Sequence, residues 1–199
     1  MQEYKTRQTL LQRLRDQYDD EAWNDFAAFY RPFIRAVIYK MNISEDDGDD
    51  ICQKVLLQAW KSLGDFNYSA NKGKFRNWLA VVTRNEARME LRNKYRHFDN
   101  PNSERHHELS VLLESWSEPE IEKISEREWQ KHIVNLAWDN ISPGLAPKVR
   151  QAYELLSSGQ DLKDVAVDLG IAENSIYVYR KRVEKLICKE VIRLEEQLG

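Results

Sequence analysis

Cysteine is nearly absent. The 199 residues contain two, Cys52 and Cys188, without a Cys-x-x-Cys spacing, which excludes a disulfide framework and a thiolate zinc site and predicts two buried, reduced thiols. Long apolar runs are missing too. No stretch reaches the roughly 18 residues of a spanning helix, and the basic start (Lys5, Arg7, Arg13, Arg15) leads into no apolar segment of the kind a secretion signal carries. A cytoplasmic protein without membrane insertion is expected. Glycine (seven) and proline (five) are too scarce for a turn-rich β architecture, and no internal repeat occurs. The acidic segment 44–50 (SEDDGDD) lacks the ligand spacing of a calcium loop. His106 and His107 have no second pair of ligands, and no Ser/His/Asp, Cys/His or Gly-rich phosphate-binding arrangement stands out. The expectation is no enzyme, no metal and no cofactor.

Charge is plentiful but unevenly placed. The net charge is −3, yet residues 72–96 carry Lys72, Lys74, Arg76, Arg84, Arg88, Arg92, Lys94 and Arg96 against Glu86 and Glu90 alone. Residues 99–128 are acidic, with nine acids to three bases, and 44–50 hold five acids and no base. One short segment is thus a local polyanion-binding signature that the bulk charge conceals.

The dominant period is helical. From Glu21, the residues Trp23, Phe26, Tyr30, Phe33, Ile34, Val37, Ile38 and Met41 recur every three or four positions, with Pro32 as the weak point. A second helix is predicted over Asp47–Leu63, opening on acids that suit the positive end of the helix dipole. A polar loop follows over 64–73, then a third helix to about Arg96. Residues 97–119 lose periodicity and read as an acidic linker with one short helix near Glu108–Trp116. Helical patterns resume over Glu120–Asn140, from Pro147 to Leu156, from Leu162 to Leu169 behind Asp161 as N-cap, and from Glu173 to Leu198. The fold class is all-α. An N-terminal helical bundle (1–98) is joined by the linker 99–119 to a second domain (120–199), whose two short helices and Gly170 turn before a long helix match helix-turn-helix.

Two surfaces could bind nucleic acid. Arg84, Arg88, Arg92 and Arg96 recur every four residues and form one basic ridge, close to Arg76 and Lys94; the alternative is a solvated helix face. Phe66, Tyr68, Phe75 and Trp78 interleave with Lys72, Lys74 and Arg76, the mixture of rings and cations that suits unstacked bases and phosphates. Phe75 and Trp78 fit the core equally well. In the helix-turn-helix, Glu173, Asn174, Ser175, Tyr177 and Tyr179 fall near base edges, with Arg180, Lys181, Arg182 and Lys185 nearer the backbone and Ile176, Val183 and Leu186 facing the core.

These residues resemble a known family. DDGDDICQKVLLQAWKSLGDF is similar to the acidic Asp-x-x-Gln helix of region 2 of the extracytoplasmic-function (ECF) RNA polymerase sigma factors. NKGKFRNWLAVVTRNEARMELRNKYR is similar to their Gly-x-Phe-Arg-x-Trp-Leu, Arg-Asn and Leu-Arg pattern. QDLKDVAVDLGIAENSIYVYRKRVEKL resembles the Ala-x-x-Leu-Gly-Ile helix-turn-helix of region 4. The resemblance implies that Asp49, Asp50, Gln53 and Leu57 dock on the clamp helices of the polymerase β′ subunit, with Lys54 standing where the family usually has an acid. It implies that the basic helix, including Arg76, Arg84, Asn85, Arg88, Arg92 and Arg96, holds the melted minus-ten strand, and that the loop from Phe66 to Lys74 captures a flipped base. The second domain then reads minus-thirty-five duplex through Glu173 to Arg182. The implied partners are core RNA polymerase, promoter DNA and, as an option left open, an anti-sigma factor contacting Trp116 or Trp129, which could instead merely pack. The alternatives are a stand-alone helix-turn-helix regulator and, from the enzyme class, a metal-dependent nuclease.

Overall fold

The computed structural model describes residues 10, 13–14, 19–63, 75–96 and 111–198. Regular structure among them is all helical, in line with the expected class. In chain order the elements are α1 (Asp20–Lys40), α2 (Glu45–Leu63), α3 (Phe75–Arg96), α4 (Glu118–Ile141), a 3-10 turn (Ser142–Gly144), α5 (Pro147–Ser157), α6 (Leu162–Leu169) and α7 (Glu173–Leu198). Residues 111–115 add a short helical stretch before α4.

Local chemistry sets the helix ends. Asp19 caps α1 by accepting the Ala22 amide (2.9 Å), and its carboxylate is gripped at two points by Arg13 (2.7 and 2.8 Å). That ion pair, followed by the amide, holds the Asp19 carboxyl below its ordinary value. Pro32 lies inside α1 without ending it; the burial of Phe29, Tyr30, Phe33 and Ile34 around it offsets the lost main-chain bond.

α1, α2 and α3 pack on one another. Gly48 lets α2 approach α1: a Cβ there would stand 3.2 Å from Ile38 Cγ2. The core of this unit is aromatic. Phe75 sits edge-on to Phe26 (6.0 Å) and Tyr30 (5.3 Å), and Trp129 of α4 meets Phe33 edge-on at 5.5 Å and stacks on Tyr30 at 6.2 Å. Trp129 is fully buried, so truncating it to Ala would remove about 3–5 kcal/mol.

This packing moves a boundary. The compact units divide between His132 and Ile133, later than residue 120, because Ile121, Ser125 and Trp129 are buried in the first unit. The option left open for Trp116 and Trp129 resolves toward packing, since both are buried.

The second unit, Ile133–Gln197, is built round Ala152, Val165, Ala166 and Ile176, with Leu155, Leu156, Leu162, Leu169, Ile171 and Tyr179 against them. Trp138 stacks on Tyr153 at 5.0 Å. Pro147 occupies the first turn of α5 and Asp161 caps α6 through the Lys163 amide (2.9 Å). Gly170 ends α6 in the left-handed region (φ 59°). Of the two thiols, Cys52 is buried as expected, but Cys188 is exposed: on α7 it is Val183 and Ile187 that turn inward, leaving residue 188 outside.

Candidate nucleic-acid interface

α2 is two-faced. Ile51, Cys52, Val55 and Ala59 are buried, whereas Asp49, Asp50, Gln53, Lys54 and Leu57 are all exposed, Leu57 to 50% despite its apolar side chain. Asp50, Gln53 and Leu57 follow the three- and four-residue spacing of one outward face. Asp49 pairs with Arg35 of α1 (3.1 Å), and Lys54 bonds Glu90 of α3. The departure at Lys54 therefore has a local partner: it ties α2 to α3, as Lys94 does by binding Asp47 (2.7 Å). A hollow of about 370 Å³ opens beside Asp49, walled by Arg35, Ile38, Tyr39, Ile43, Gly48 and Lys131 among others.

Of the ridge on α3, Arg76 and Arg84 are buried and Arg88 is half-buried. Arg76 is 2% exposed; its Nη2 donates to Glu126 (2.6 Å) and its guanidinium lies 5.3 Å from the Trp129 ring centre. Arg84 is 7% exposed and donates to Asn85 Oδ1 (3.2 and 3.3 Å) and Glu118 (3.4 Å). Arg88 Nη2 donates to the carbonyls of Leu113 (2.6 Å) and Trp116 (2.8 Å), a cation placed where the helical stretch 111–115 ends. Burial, then repulsion from Arg84 and Arg92, lowers its pKa. Asn85 and Arg92 are exposed, as is the neighbouring Lys94. Arg96 closes α3. Phe75 belongs to the core and Trp78 is half-buried. Phe66, Tyr68, Lys72 and Lys74 lie outside the described residues.

A set of groups not singled out from the sequence completes this site. Glu118, Glu122 and Glu126 repeat at four-residue spacing along one face of α4, and each meets α3: Glu118 at Arg84, Glu122 at Asn77 (3.3 Å) and Glu126 at Arg76. Ser125, fully buried, donates to Asn77 Oδ1 (3.2 Å). The acid excess of 99–128 and the spacing of these glutamates were the available signals.

In the second unit, Glu173, Asn174, Tyr177, Arg180, Lys181 and Arg182 are exposed along α7 and Ser175 is half-buried. Tyr179, expected near base edges, packs on the core of this unit. Ile176 and Val183 are fully buried, with Ile187 behind them. Arg180 (2.8 Å) and Lys181 (2.9 Å) share Glu184 as a partner, and Lys181 lies 5.9 Å from the Tyr177 ring centre. The side-chain bond to Glu184 raises the Lys181 pKa. No helix among the described residues is long and apolar enough to cross a membrane.

Residues 26–97 match the Sigma-70 region 2 family, a span that takes in most of α1 and all of α2 and α3. The chain is 32% identical over 109 residues to the ECF RNA polymerase sigma factor SigG of Mycobacterium tuberculosis, in two strains, across 50% of this chain and 29% of that protein. The match thus spans under a third of the length of these curated relatives. Among solved structures, that of CnrH in complex with the cytosolic domain of CnrY aligns over 92% of this chain and 95% of that one, at 17% identity and a TM-score of 0.37. The resemblance to ECF sigma factors rests on the first two of these matches.

Proposed function

We propose that this chain is a cytoplasmic sigma factor of the ECF group, which binds core RNA polymerase, directs it to a subset of promoters and helps open the minus-ten element. It performs no covalent chemistry of its own. The observation that carries the reading is the Sigma-70 region 2 match over residues 26–97, coinciding with a helix, α2, that leaves Asp50, Gln53 and Leu57 in solvent on one face. An exposed Leu57 flanked by Asp50 and Gln53 gives that face an apolar contact with a polar rim, which suits a helix that docks on another protein. The hollow beside Asp49, with Tyr39 71% exposed at its edge, extends that surface, and the polymerase clamp helices are its proposed partner.

On this reading the first domain also receives the unpaired minus-ten strand along α3 and the loop that precedes it. The second domain, as region 4, sets α7 in the major groove of minus-thirty-five duplex, with Asn174, Tyr177, Lys181 and Arg182 outward. An anti-sigma factor is a further proposed partner, on the family resemblance alone.

Run-off transcription with purified core polymerase and a promoter library tests the whole reading: transcripts that start only when the chain is added are expected, and none would refute it. Asp50→Ala and Gln53→Ala should each weaken co-purification with core polymerase while leaving the circular dichroism spectrum unchanged, because both side chains are exposed and carry none of the core. Unaltered co-purification would remove α2 as the docking element.

A further inference from the structure

Three of the α3 arginines that suit a polyanion, Arg76, Arg84 and Arg88, are already engaged, by groups arranged much like one. Glu118, Glu122 and Glu126 stand about 6 Å apart along α4, one carboxylate per helical step. They meet Arg84, Asn77 and Arg76 in the reverse order along α3, so the two helices run antiparallel here. Arg88 extends the series through the carbonyls of Leu113 and Trp116. Trp129, one helical turn beyond Glu126, anchors the far end by inserting among Phe29, Tyr30 and Phe33 with Arg76 against its ring.

The pairing is incomplete. Arg76 Nε and Arg88 Nε are buried and have no acceptor among the described residues, and a guanidinium N–H shut away from water without an acceptor is costly. The Arg84–Glu118 contact is long at 3.4 Å, and the Glu118 side chain is 77% exposed. A phosphate, with several acceptor oxygens, would satisfy a guanidinium fork more fully than these single carboxylate and carbonyl contacts do.

We propose that the segment from Leu113 to Trp129 is an intramolecular competitor for nucleic acid, an autoinhibitory strap that must lift from Arg76, Arg84 and Arg88 before these can hold a strand. The proposal deepens the preceding reading, on which it rests for the assignment of α3 to an unpaired strand. It gives the acidic stretch a function of its own: the free chain is screened from non-specific polyanions, and a strand reaches Arg76, Arg84 and Arg88 only by displacing the strap.

The test uses the full chain and a labelled single-stranded oligonucleotide of about thirty nucleotides, followed by fluorescence anisotropy over a range of salt. The triple variant Glu118→Gln, Glu122→Gln, Glu126→Gln should bind about tenfold more tightly than the unaltered chain. A control with the same loss of charge on exposed acids of the second unit, Asp139→Asn, Asp164→Asn, Glu195→Gln, should change affinity far less. Equal affinities of the unaltered and triple-variant chains, or an equal gain in the control, would overturn the proposal. Hydrogen exchange on the unaltered chain separates the outcomes even where the triple variant does not fold. Amides of 116–129 should lose protection when oligonucleotide is added at low salt, and retained protection at saturation would overturn the strap. Neither measurement contains polymerase, so a failed strap and a failed sigma-factor reading give separate signatures: the first shows in oligonucleotide binding and exchange, the second in run-off transcription.

Discussion

At the start of α2 the Asp47 carboxylate accepts hydrogen bonds from Ser44 Oγ (2.8 Å) and from Lys94 Nζ of α3 (2.7 and 2.9 Å). Lys94 is the main reason its pKa lies below the ordinary carboxylate value. A lowered carboxylate pKa contributes stability that is fully present above the unfolded value, about 3.9, and is lost as pH falls through the folded value. Asp47→Asn should therefore cost about 1 kcal/mol at neutral pH, and the difference from the unaltered chain should close in strong acid, as urea denaturation at the two pH values would measure. His132 has the opposite chemistry but the same sign. Its ring is packed against Phe29 at 5.0 Å, Nε2 is buried without a partner among the described residues, and desolvation lowers its pKa despite a hydrogen bond to the Phe29 backbone. Because protonation is penalised only in the folded state, stability should fall as pH drops below the unfolded value of about 6.5. His132→Leu should flatten that dependence in denaturant titrations between neutral and mildly acidic pH. Asp47 was legible as a first-turn acid but its partner, 47 positions away, was not, and His132, whose partner lies on a different helix, did not stand out at all.

Among the elements, the sequence was most informative where structure is decided within one helical turn. Asp161 as cap, Pro147 in a first turn and Gly170 as a stop are all local choices, and the structure has each in place. Gly170 has open space around a would-be Cβ, so Gly170→Ala should cost about 1–2 kcal/mol through backbone conformation alone, a loss that thermal unfolding followed by circular dichroism would report. The faces of the helices were harder to assign. Periodicity groups residues on one side of a helix without saying what that side meets, so the ridge of Arg84 and Arg88 was visible while its internal acceptors were not. The same limit applies to Tyr179, which shares a run with Tyr177 yet packs inward, and to Cys188, which is one position past the buried Ile187.

For the molecule as a whole, residues 99–119 read as a linker and Glu120–Asn140 as the first helix of a second domain; that helix is present as α4 (Glu118–Ile141), but its Ile121, Ser125 and Trp129 are buried in the first unit. Charge complementarity across fifty residues, as between Arg76 and Glu126, leaves no mark in a local reading. One functional consequence concerns which arginines give a clean measurement of strand contact. Arg76, Arg84 and Arg88 hold structure as well as charge, while Arg92 is exposed. If α3 receives a strand as proposed, Arg92→Ala should lower the salt dependence of oligonucleotide binding by about 0.7 in log–log slope without altering thermal stability, and an unchanged slope would place that arginine off the path. Trp129 adds a practical consequence. An indole wholly enclosed by Phe29, Tyr30 and Phe33 emits at short wavelength, and entry of water would shift its emission to the red. With the other five tryptophans replaced by phenylalanine, the chain would become its own optical gauge, recording in real time whether that indole stays dry.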